Sequence, residues 1–426
     1  MSFPAYPAYK QSGIPWIGAL PVHWATVPYK HMVDIQNGAD HKHIEQDEGY
    51  PVIGSGGTFA YASEFMCDGD SVLLGRKGTV DKPLFVSGRF WTVDTMYWTK
   101  IAEGTNPRFA YYTALTIPFD YYSTNTALPS MTKGVLNAHI VAQPPWGEQT
   151  AIAAFLDRET AKIDALVEEQ KRLIELLKEK RQAVISHAVT KGLDPSVPMK
   201  DSGVAWLGEV PAHWEVIALK REAEFVTSGA RGWADNYSDN GELFLRIGNL
   251  TRDTIQLDLS DTQRVVVPES KETVRTRAIP GDLLFSITAY LGSVAVIPDG
   301  LEPAYVSQHV ALVRLKGCRL VPEWAAYVAA SHVGKTFLET QGYGGTKVQL
   351  SLTDVANLLM LLPEAEEQRA IVDYIEHELS KLDELTEGAT SAVCLLQERR
   401  SALISAAVTG KIDVRGLAPR PEVTAA

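Results

Sequence analysis

The chain has 426 residues, of which 45% are hydrophobic and 22% charged, and its formal net charge is −12 at pH 7. This composition is typical of globular domains and excludes the disordered and collagen-like classes. The length allows two or three domains with separate cores. Because coating nucleic acid requires clustered Lys and Arg, the acidic balance excludes DNA binding through bulk charge, although a local basic cleft remains possible.

Cysteine usage and the N-terminus indicate the compartment. Cys67, Cys318 and Cys394 are too widely spaced for a disulfide framework or a CxxC metal motif. The start MSFPAYPAYKQSG lacks the basic and apolar regions of a signal peptide, and no window approaches the ~18 apolar residues of a membrane span. We therefore expect a cytoplasmic protein that does not associate with membranes.

A lead motif occurs twice. KQSGIPWIGALPVHW at 10–24 returns as KDSGVAWLGEVPAHW at 200–214, so both copies read SGxxWxGxxPxHW. An internal repeat of this kind indicates the overall architecture even before secondary structure is predicted. The segments that follow the two leads, about 31–143 and 221–362, resemble each other far less. The sequence thus predicts a duplicated frame that holds two divergent inserts.

The His–Trp pair that ends each lead suggests a catalytic or base-stacking role for His23 and Trp24, or for His213 and Trp214. Recurrence favours a different interpretation, because the inserts differ between the copies while these pairs do not. We predict that they belong to the shared frame, with the Trp rings packing the start of each domain against the helices and the His side chains satisfied locally.

A second repeat follows each insert. The stretch starting EQTAI at 148–194 returns, starting EQRAI, at 367–413. Each copy is an amphipathic helix with one apolar seam, and the two helices should pair because neither has another partner. A helix of about 38 residues is about 57 Å long, which is typical of a spacer. The predicted seam residues are Ile152, Leu156, Ile163, Leu166, Leu173, Leu177, Ile371, Ile375, Leu382, Leu385, Leu396 and Leu403.

Both inserts are predicted to be mixed α/β. Strand-like runs separated by Gly and Asp turns include YPVIG, SVLLG and TVDTMYWTK in the first insert, and LFLRIGNL, RVVVP, DLLFSIT, SVAVIP and HVALVRL in the second. A helix is expected after each strand-rich part, at about 107–117 and 322–341.

Known catalytic motifs match poorly. QPPW at 143–146 approaches the [DNS]PP[YFW] motif of amino-methyltransferases, but it begins with Gln and no glycine-rich turn for S-adenosylmethionine precedes it. GSGGTF at 54–59 lacks the third glycine of a dinucleotide fingerprint, and GRKGT at 75–79 lacks phosphate-loop spacing. His41 and His43 lie beside acidic residues, but a solvated loop is favoured over a metal site. We predict no catalytic or metal-binding residues.

Taken in order, the motifs resemble those of one family, the DNA-specificity subunits of type I restriction-modification systems. The resemblance covers nearly all of residues 10–413 and is specific because the order is duplicated. It depends on the lead motif, the GDxLL turn at Gly281 and Asp282 with its counterpart at Gly69 and Asp70, VSQH at 306–309, GTKVQLS at 345–351, and the EQxAI start of each helix.

The resemblance implies a mixed α/β fold with two target-recognition domains separated by a long antiparallel coiled coil and related by a pseudo-two-fold arrangement. The expected segments are a first recognition domain at 1–146, a helix at 147–194, a second recognition domain at 195–362, a helix at 363–413 and a disordered tail at 414–426.

It also implies a non-catalytic subunit that reads a bipartite, asymmetric site on double-stranded DNA. Such a subunit directs two modification subunits, which bind S-adenosylmethionine and methylate adenine, and restriction subunits, which use ATP and Mg²⁺. The chain itself would bind none of these cofactors.

Residues of the types that contact bases and phosphates cluster in loops of both inserts. The candidate DNA-binding residues are Arg76, Lys77, Ser130, Thr132, Lys133, Thr288, Tyr290, Ser307, Gln308, His309, Thr346, Lys347 and Gln349. For each of them, a turn former or a surface charge is the alternative.

Two alternative functions remain open at this point. A duplicated protein-binding scaffold predicts exposed aromatic patches on the inserts, whereas DNA recognition predicts facing polar and basic loops. A self-sufficient DNA adenine methyltransferase predicts that the chain alone binds S-adenosylmethionine.

Overall fold

The computed structural model describes residues 3–122, 129–229, 231–269, 271–288, 291–317, 319–341 and 349–417. The chain divides into two units, Met1–Lys171 with Thr390–Ala426 (unit 1) and Arg172–Ala389 (unit 2). Most of the tail predicted to be disordered, from residue 418 onward, lies outside the described residues. Within the described ranges, no helix combines the length and apolar character needed to cross a membrane.

Unit 1 begins with the first lead and contains the first insert. Its strands are β1 (Tyr9–Gln11), β2 (Ala19–Pro21), β3 (Ala25–Pro28), β4 (Val33–Asn37), β5 (Glu45–Gln46), β6 (Tyr50–Gly54), β7 (Gly57–Ala62), β8 (Cys67–Asp68), β9 (Ser71–Gly75), β10 (Leu84–Val86), β11 (Arg89–Thr92), β12 (Met96–Ile101) and β13 (Ile140–Gln143). Its helices are α1 (Pro107–Ala114), α2 (Phe119–Tyr122), α3 (Lys133–Ala138) and the first part of α4 (Trp146–Lys191).

Unit 2 begins within α4 and contains the second lead and insert. Its strands are β14 (Met199–Asp201), β15 (Glu209–Pro211), β16 (Glu215–Ala218), β17 (Ala223–Ser228), β18 (Tyr237–Ser238), β19 (Glu242–Leu245), β20 (Gln263–Val265), β21 (Arg277–Ala278), β22 (Leu283–Ser286), β23 (Val294–Val296), β24 (Ala304–Val306), β25 (Val310–Leu315) and β26 (Leu359–Leu362). Its helices are the last part of α4, α5 (Lys271–Thr276), α6 (Pro322–Ala330), α7 (His332–Gln341), α8 (Leu352–Ala356) and the first part of α9 (Ala365–Val408). The last part of α9 belongs to unit 1.

The two inserts share one sheet topology. In the described parts of the chain, a four-stranded sheet has the order β10-β9-β12-β4 in unit 1 and β23-β22-β25-β17 in unit 2. A five-stranded sheet has the order β5-β7-β6-β11-β8 in unit 1 and β18-β20-β19-β24-β21 in unit 2. In each of these larger sheets one pair is parallel, β6 with β11 and β19 with β24. The inserts are therefore structural repeats, although their sequences differ.

Some predicted elements match the structure, whereas others are interrupted. YPVIG and SVLLG coincide with β6 and β9. TVDTMYWTK contains a turn at 93–95, between β11 and β12. The helix expected at 322–341 is divided into α6 and α7 at Ser331, whose hydroxyl donates to the carbonyl oxygen of Val328 at 2.6 Å.

The long helices lie antiparallel within each unit. In unit 1, Arg400 Nε donates to Asp164 Oδ1 at 2.7 Å, while Arg158, earlier on α4, donates to the carbonyl of Leu417, beyond α9. In unit 2, Arg181 pairs with Asp383, and Gly192 after α4 lies beside Glu367 at the start of α9.

The seam between the long helices differs from the predicted seam at three positions. Leu166, Leu173 and Leu385 are exposed, with 45%, 40% and 57% of their surface accessible. Their neighbours Val167, Ile174 and Thr386 lie on the covered face instead. The prediction chose the nearest leucine, whereas a strict heptad also places polar residues such as Thr386 on the covered side. Of the other predicted residues, Leu382 and Leu396 are half-buried and the following are buried: Ile152, Leu156, Ile163, Leu177, Ile371, Ile375 and Leu403.

The His–Trp pairs of the leads fasten the long helices. In unit 1, Trp24 Nε1 donates to Glu148 Oε2 at 3.0 Å, and His23 Nε2 lies 2.7 Å from Glu148 Oε1. Tyr6 adds a third bond to this carboxylate, at 2.9 Å. Since a carboxylate only accepts, the histidine donates. The prediction that these pairs serve the shared frame is confirmed.

Unit 2 repeats this contact. Trp214 Nε1 donates to Glu367 Oε1 at 3.1 Å, and His213 Nε2 lies 2.9 Å from Glu367 Oε2. Trp24 and Trp214 are almost completely buried. Each unit thus joins its lead to the start of a long helix through one carboxylate.

The end of the other long helix packs on the same tryptophan. Gly410 has a φ of +74°, and a Cβ placed there would lie 2.9 Å from the Trp24 ring. Gly192 has a φ of +70° and lies against Trp214 in the same way. Both positions favour glycine because a side chain would be strained at these positive φ angles. At Gly410 a side chain would also displace the indole, whereas at Gly192 the nearest indole atom would lie 3.4 Å from a Cβ, an ordinary contact.

The glutamine beside each of these glutamates fixes the helix of the insert. Gln149 Oε1 accepts from the backbone N–H of Asn106, just before α1, at 2.8 Å. Gln368 Oε1 accepts from Val321, just before α6, at the same distance. These bonds satisfy amide groups that a helix start leaves without intrahelical partners. They also make residue 106 the counterpart of residue 321.

We expect Glu148→Ala to lower the free energy of unfolding by about 2–3 kcal/mol, because the buried Trp24 indole loses its acceptor. Urea denaturation of the full chain, followed by tryptophan fluorescence, measures this change. Glu168→Ala is the matched control, since its exposed ion pair with Lys171 contributes less than about 1 kcal/mol. Equal midpoints for the two variants would contradict the role of Glu148.

His139 is a buried histidine found only in the first of the two equivalent frames. Its side chain stacks on Trp16 at 4.9 Å, and its Nδ1 lies 3.1 Å from the hydroxyl of Tyr122. Burial lowers the pKa of His139 from its ordinary 6.5 to about 4. Leu358 occupies this place in unit 2, since its carbonyl accepts from Leu219 as that of His139 accepts from Tyr29.

The neutral form of His139 predicts a pH-dependent stability. Between pH 6.5 and about 4 the unfolded chain binds a proton that the folded chain does not, so stability falls as the pH is lowered through this window. In wild type this effect lowers the free energy of unfolding by up to about 3 kcal/mol between pH 6.5 and about 4, and we expect His139→Leu to abolish it. Urea denaturation at several pH values measures the difference. A variant that keeps the wild-type pH profile would show that His139 is not responsible.

Candidate nucleic-acid interface

One edge of each insert gathers loop residues around the four-stranded sheet. In unit 2, the edge consists of the end of β17, the segment after β22, the turn before β25, and the segment before α8. The bridge between Thr288 and Gln349 joins two of these segments. The backbone of Ile287 joins a third, donating to the carbonyl of His309 at 3.1 Å and accepting from Leu350 at 3.0 Å.

Unit 1 contains the same arrangement. Lys77 and Ser130 form the equivalent bridge. Arg76 donates through its backbone to the carbonyl of Thr95 at 2.9 Å and accepts from Met131 at 2.9 Å. The turn before β12 therefore corresponds to the turn before β25, which makes Asp94 and Thr95 the counterparts of Gln308 and His309.

A glycine allows the close approach of two segments at this edge. A Cβ on Gly229 would lie 2.0 Å from the carbonyl oxygen of Val306, and one on Gly38 would lie 2.0 Å from that of Val93. Any other residue would move the turn that carries the exposed polar side chains. The edge is therefore built by the backbone, and its outward residues are free to differ.

The structure brings four of the predicted unit 2 residues together. Thr288, Gln308, His309 and Gln349 line a cavity of about 340 Å³. Gln308, His309 and Gln349 are exposed, and Gln308 Nε2 lies 3.2 Å from His309 Nε2. The cavity presents an imidazole together with amide and hydroxyl groups, and the last two are among the groups that read base edges.

Other predicted residues of these loops are buried, cap a helix or lie outside the described residues. Ser307 is 7% exposed, its hydroxyl has no hydrogen-bond partner within the described ranges, and it does not line the cavity. Thr132 caps α3, accepting from the N–H of Val135 at 3.4 Å. Tyr290, Thr346 and Lys347 lie outside the described residues.

The remaining unit 1 residues lie along its edge. Lys77 is exposed, whereas Ser130 and Lys133 are half-buried. Arg76 is also half-buried, and its Nη1 donates to the carbonyl of Asp94 at 3.2 Å. Arg76 therefore helps to hold the turn that presents Asp94.

Sequence reasoning missed part of each edge. Ser228 and Arg231 line the unit 2 cavity, and Arg231 is exposed. Asp94 and Thr95 are exposed at the matching turn of unit 1. The Ser228–Gly229 dipeptide that ends β17 was the available sequence signal for Ser228 and Arg231. Asp94 and Thr95 could be found only by matching strands whose sequences differ.

The fold and these edges define a class of protein with two equivalent recognition domains on a shared helical frame. The sequence profile of the type I restriction modification DNA specificity domain matches residues 21–176 and 211–393. The chain belongs to this family, and its function is the recognition of DNA sequence.

Individual relatives agree with this assignment. The specificity subunit of the type I restriction enzyme EcoBI from Escherichia coli is 21% identical over 95% of this chain and 90% of that protein. The MjaVIII specificity subunit from Methanocaldococcus jannaschii is 24% identical over 68% of this chain and 66% of that protein. A chain from a solved type I R-M system has the same fold, with a TM-score of 0.65 and 18% identity over 91% of this chain and 98% of that one.

We expect Gly229→Ala to lower the free energy of unfolding by about 1–3 kcal/mol, because the methyl group overlaps the carbonyl of Val306. Gly248→Ala is the control, since a Cβ there meets nothing within 4 Å. Urea denaturation of the two variants measures the difference. A Gly229→Ala protein as stable as the control would show that the turn adjusts without cost.

Proposed function

We propose that the chain reads a split, asymmetric site on double-stranded DNA, one half with each unit. In the same proposal it catalyses no reaction itself and directs partner subunits to that site. Two modification subunits would bind S-adenosylmethionine and methylate adenine there, and restriction subunits would use ATP and Mg²⁺.

The observation that carries this proposal is a difference between matched positions. Lys77 of unit 1 corresponds to Thr288 of unit 2, and Ser130 corresponds to Gln349, because each pair forms the equivalent bridge of its edge. Asp94 and Thr95 likewise match Gln308 and His309. The backbone arrangement is shared while the exposed side chains differ, so the two units present different donors and acceptors. Different donors and acceptors select different bases.

The chemistry of each position supports a role in base or phosphate contact. Gln308 offers the amide geometry that pairs with both N6 and N7 of adenine, and Asp94 offers an acceptor for the amino group of cytosine. Lys77 and Arg231 supply positive charge at the two edges, where phosphate contacts set the register of the protein on the duplex. Local cations of this kind are compatible with a net charge of −12.

The matched turns provide a paired test. We expect Gln308→Ala to relax recognition at one half of the site and Asp94→Ala to relax it at the other half. Each variant should lose about 1–3 kcal/mol of discrimination at one base pair. Methylome sequencing of cells that co-express the chain with its modification subunits reads both halves at once. Each variant is therefore the control for the other.

Exchange of the second insert, residues 221–362, for that of a relative should change one half of the methylated site and leave the other intact. If any of these alterations relaxes or changes both halves of the site, the model in which each unit reads one half is refuted. Absence of any methylated split site would refute the function. Calorimetric binding of S-adenosylmethionine to the chain alone would refute a non-catalytic role.

A further inference from the structure

Unit 2 contains an acidic groove that shares no lining residue with the cavity of its recognition edge. Its cavity measures about 370 Å³ and lies between the long helices, α6 and the segment before Gln256. The groove presents the carboxylates of Glu376, Asp383, Glu384 and Glu387. Asp383 is paired with Arg181, and the other three have no ion-pair partner among the described residues.

Unit 1 fills the equivalent place with an arginine of its own. Arg108, on α1, pairs with Asp157 on α4, and its Nη2 also donates to the Tyr112 hydroxyl at 3.3 Å. That hydroxyl lies 2.7 Å from Asp157 Oδ1 and 3.2 Å from the hydroxyl of Thr160. The guanidinium lies over the Tyr112 ring, 5.3 Å from its centroid. One cation thus satisfies a carboxylate and a phenol together.

Unit 2 keeps a carboxylate and the phenol of this network but has neither its arginine nor its threonine. The equivalence of residues 106 and 321 places Glu323 where Arg108 stands and Tyr327 where Tyr112 stands. The repeat of the long helices places Glu376 at the position of Asp157 and Leu379 at that of Thr160. An arginine–aspartate pair in unit 1 is therefore a glutamate–glutamate pair in unit 2.

Tyr327 shows the consequence of this exchange. It is 5% exposed and lines the groove, and its hydroxyl has no hydrogen-bond partner within the described ranges. Because Tyr327 lines the groove, a hydrogen-bond partner that enters the groove can reach this residue. Partial burial, together with the like charges of Asp373 and Glu323, raises the pKa of Glu376.

Arg181, which also lines the groove, places a positive charge near Tyr327 but is paired with Asp383. Among the described residues, neither Tyr327 nor Glu376 has the direct contact with a cation that Arg108 gives their counterparts in unit 1.

We propose that the acidic groove of unit 2 binds an arginine side chain from a partner subunit, which takes the place that Arg108 occupies in unit 1. A guanidinium suits the site because its planar fork can donate to the Glu376 carboxylate and to the Tyr327 oxygen at once. The surplus of carboxylates excludes a DNA phosphate as the occupant. The inference depends on the proposed function, since the partner is a subunit of the complex.

A variant that carries its own arginine in the groove tests the proposal. In Glu323→Arg/Glu376→Asp, unit 2 receives the pair found in unit 1, so the groove is filled and the partner arginine is repelled. We expect the full-length variant to bind the separately purified modification subunit about tenfold more weakly than wild type, measured by biolayer interferometry. Glu376→Gln should weaken binding in the same direction while removing only one charge from an exposed position.

The control variant is Glu366→Gln/Glu398→Gln, which removes two exposed carboxylates of α9 outside the groove. It should bind as wild type does. If both groove variants unfold like wild type and also bind like wild type, the groove is not the contact and the proposal is overturned while the proposed function stands. If wild-type protein binds no modification subunit, the proposed function fails and this proposal fails with it.

Cross-linking identifies the occupant. Ser380 lines the groove and is exposed, so a photoreactive Ser380→p-benzoylphenylalanine variant can capture whatever lies there in the assembled complex. A cross-link to an arginine-bearing segment of the partner subunit supports the proposal. A cross-link to the chain's own C-terminal segment, which carries Arg415 and Arg420, or to DNA, overturns it.

Discussion

The carboxylate at the start of each long helix is the contact on which the frame depends. Glu148 and Glu367 are each held by a Trp and a His of a lead, and a glycine after the other long helix packs on the same indole. One buried tryptophan therefore fixes a helix start, a helix end and the beginning of a domain. Removing the acceptor leaves an indole N–H without a partner in a closed core, which is costly.

This constraint explains why the two copies of the lead remain so similar while the inserts do not. A residue that contacts three elements at once has few acceptable replacements, because each contact restricts its size and its polarity. The outward residues of the sheet edges face no such restriction. Their backbone is set by the bridges Lys77–Ser130 and Thr288–Gln349 and by glycines at close approaches. Side chains at the edge can change without disturbing the fold, and that freedom permits two different DNA readers.

The units also differ within the frame itself. His139 in unit 1 is replaced by Leu358 in unit 2, and the arginine–aspartate pair of Arg108 and Asp157 is replaced by two glutamates. The first exchange makes the stability of one unit sensitive to pH. The second leaves one unit with acceptors that a partner can satisfy.

Much of the architecture followed from the sequence alone. The duplicated leads and helices, the α/β character of the inserts and the structural role of the His–Trp pairs all depend on local patterns and on the order of motifs. The predicted seam was wrong at Leu166, Leu173 and Leu385, because hydrophobicity by itself does not distinguish a covered position from the leucine beside it.

Tertiary structure decided what sequence could not. The equivalence of Asp94 with Gln308, the capping role of Thr132 and the burial of Ser307 depend on which strands pair and which loops meet. Strand pairing joins residues distant in the chain, and two inserts with different side chains can satisfy the same backbone hydrogen bonds. The sequence therefore determined the frame, because the contacts of the frame restrict which residues can stand there. The tertiary structure decided which residues form each recognition edge, because the contacts at the edges do not restrict residue identity in this way.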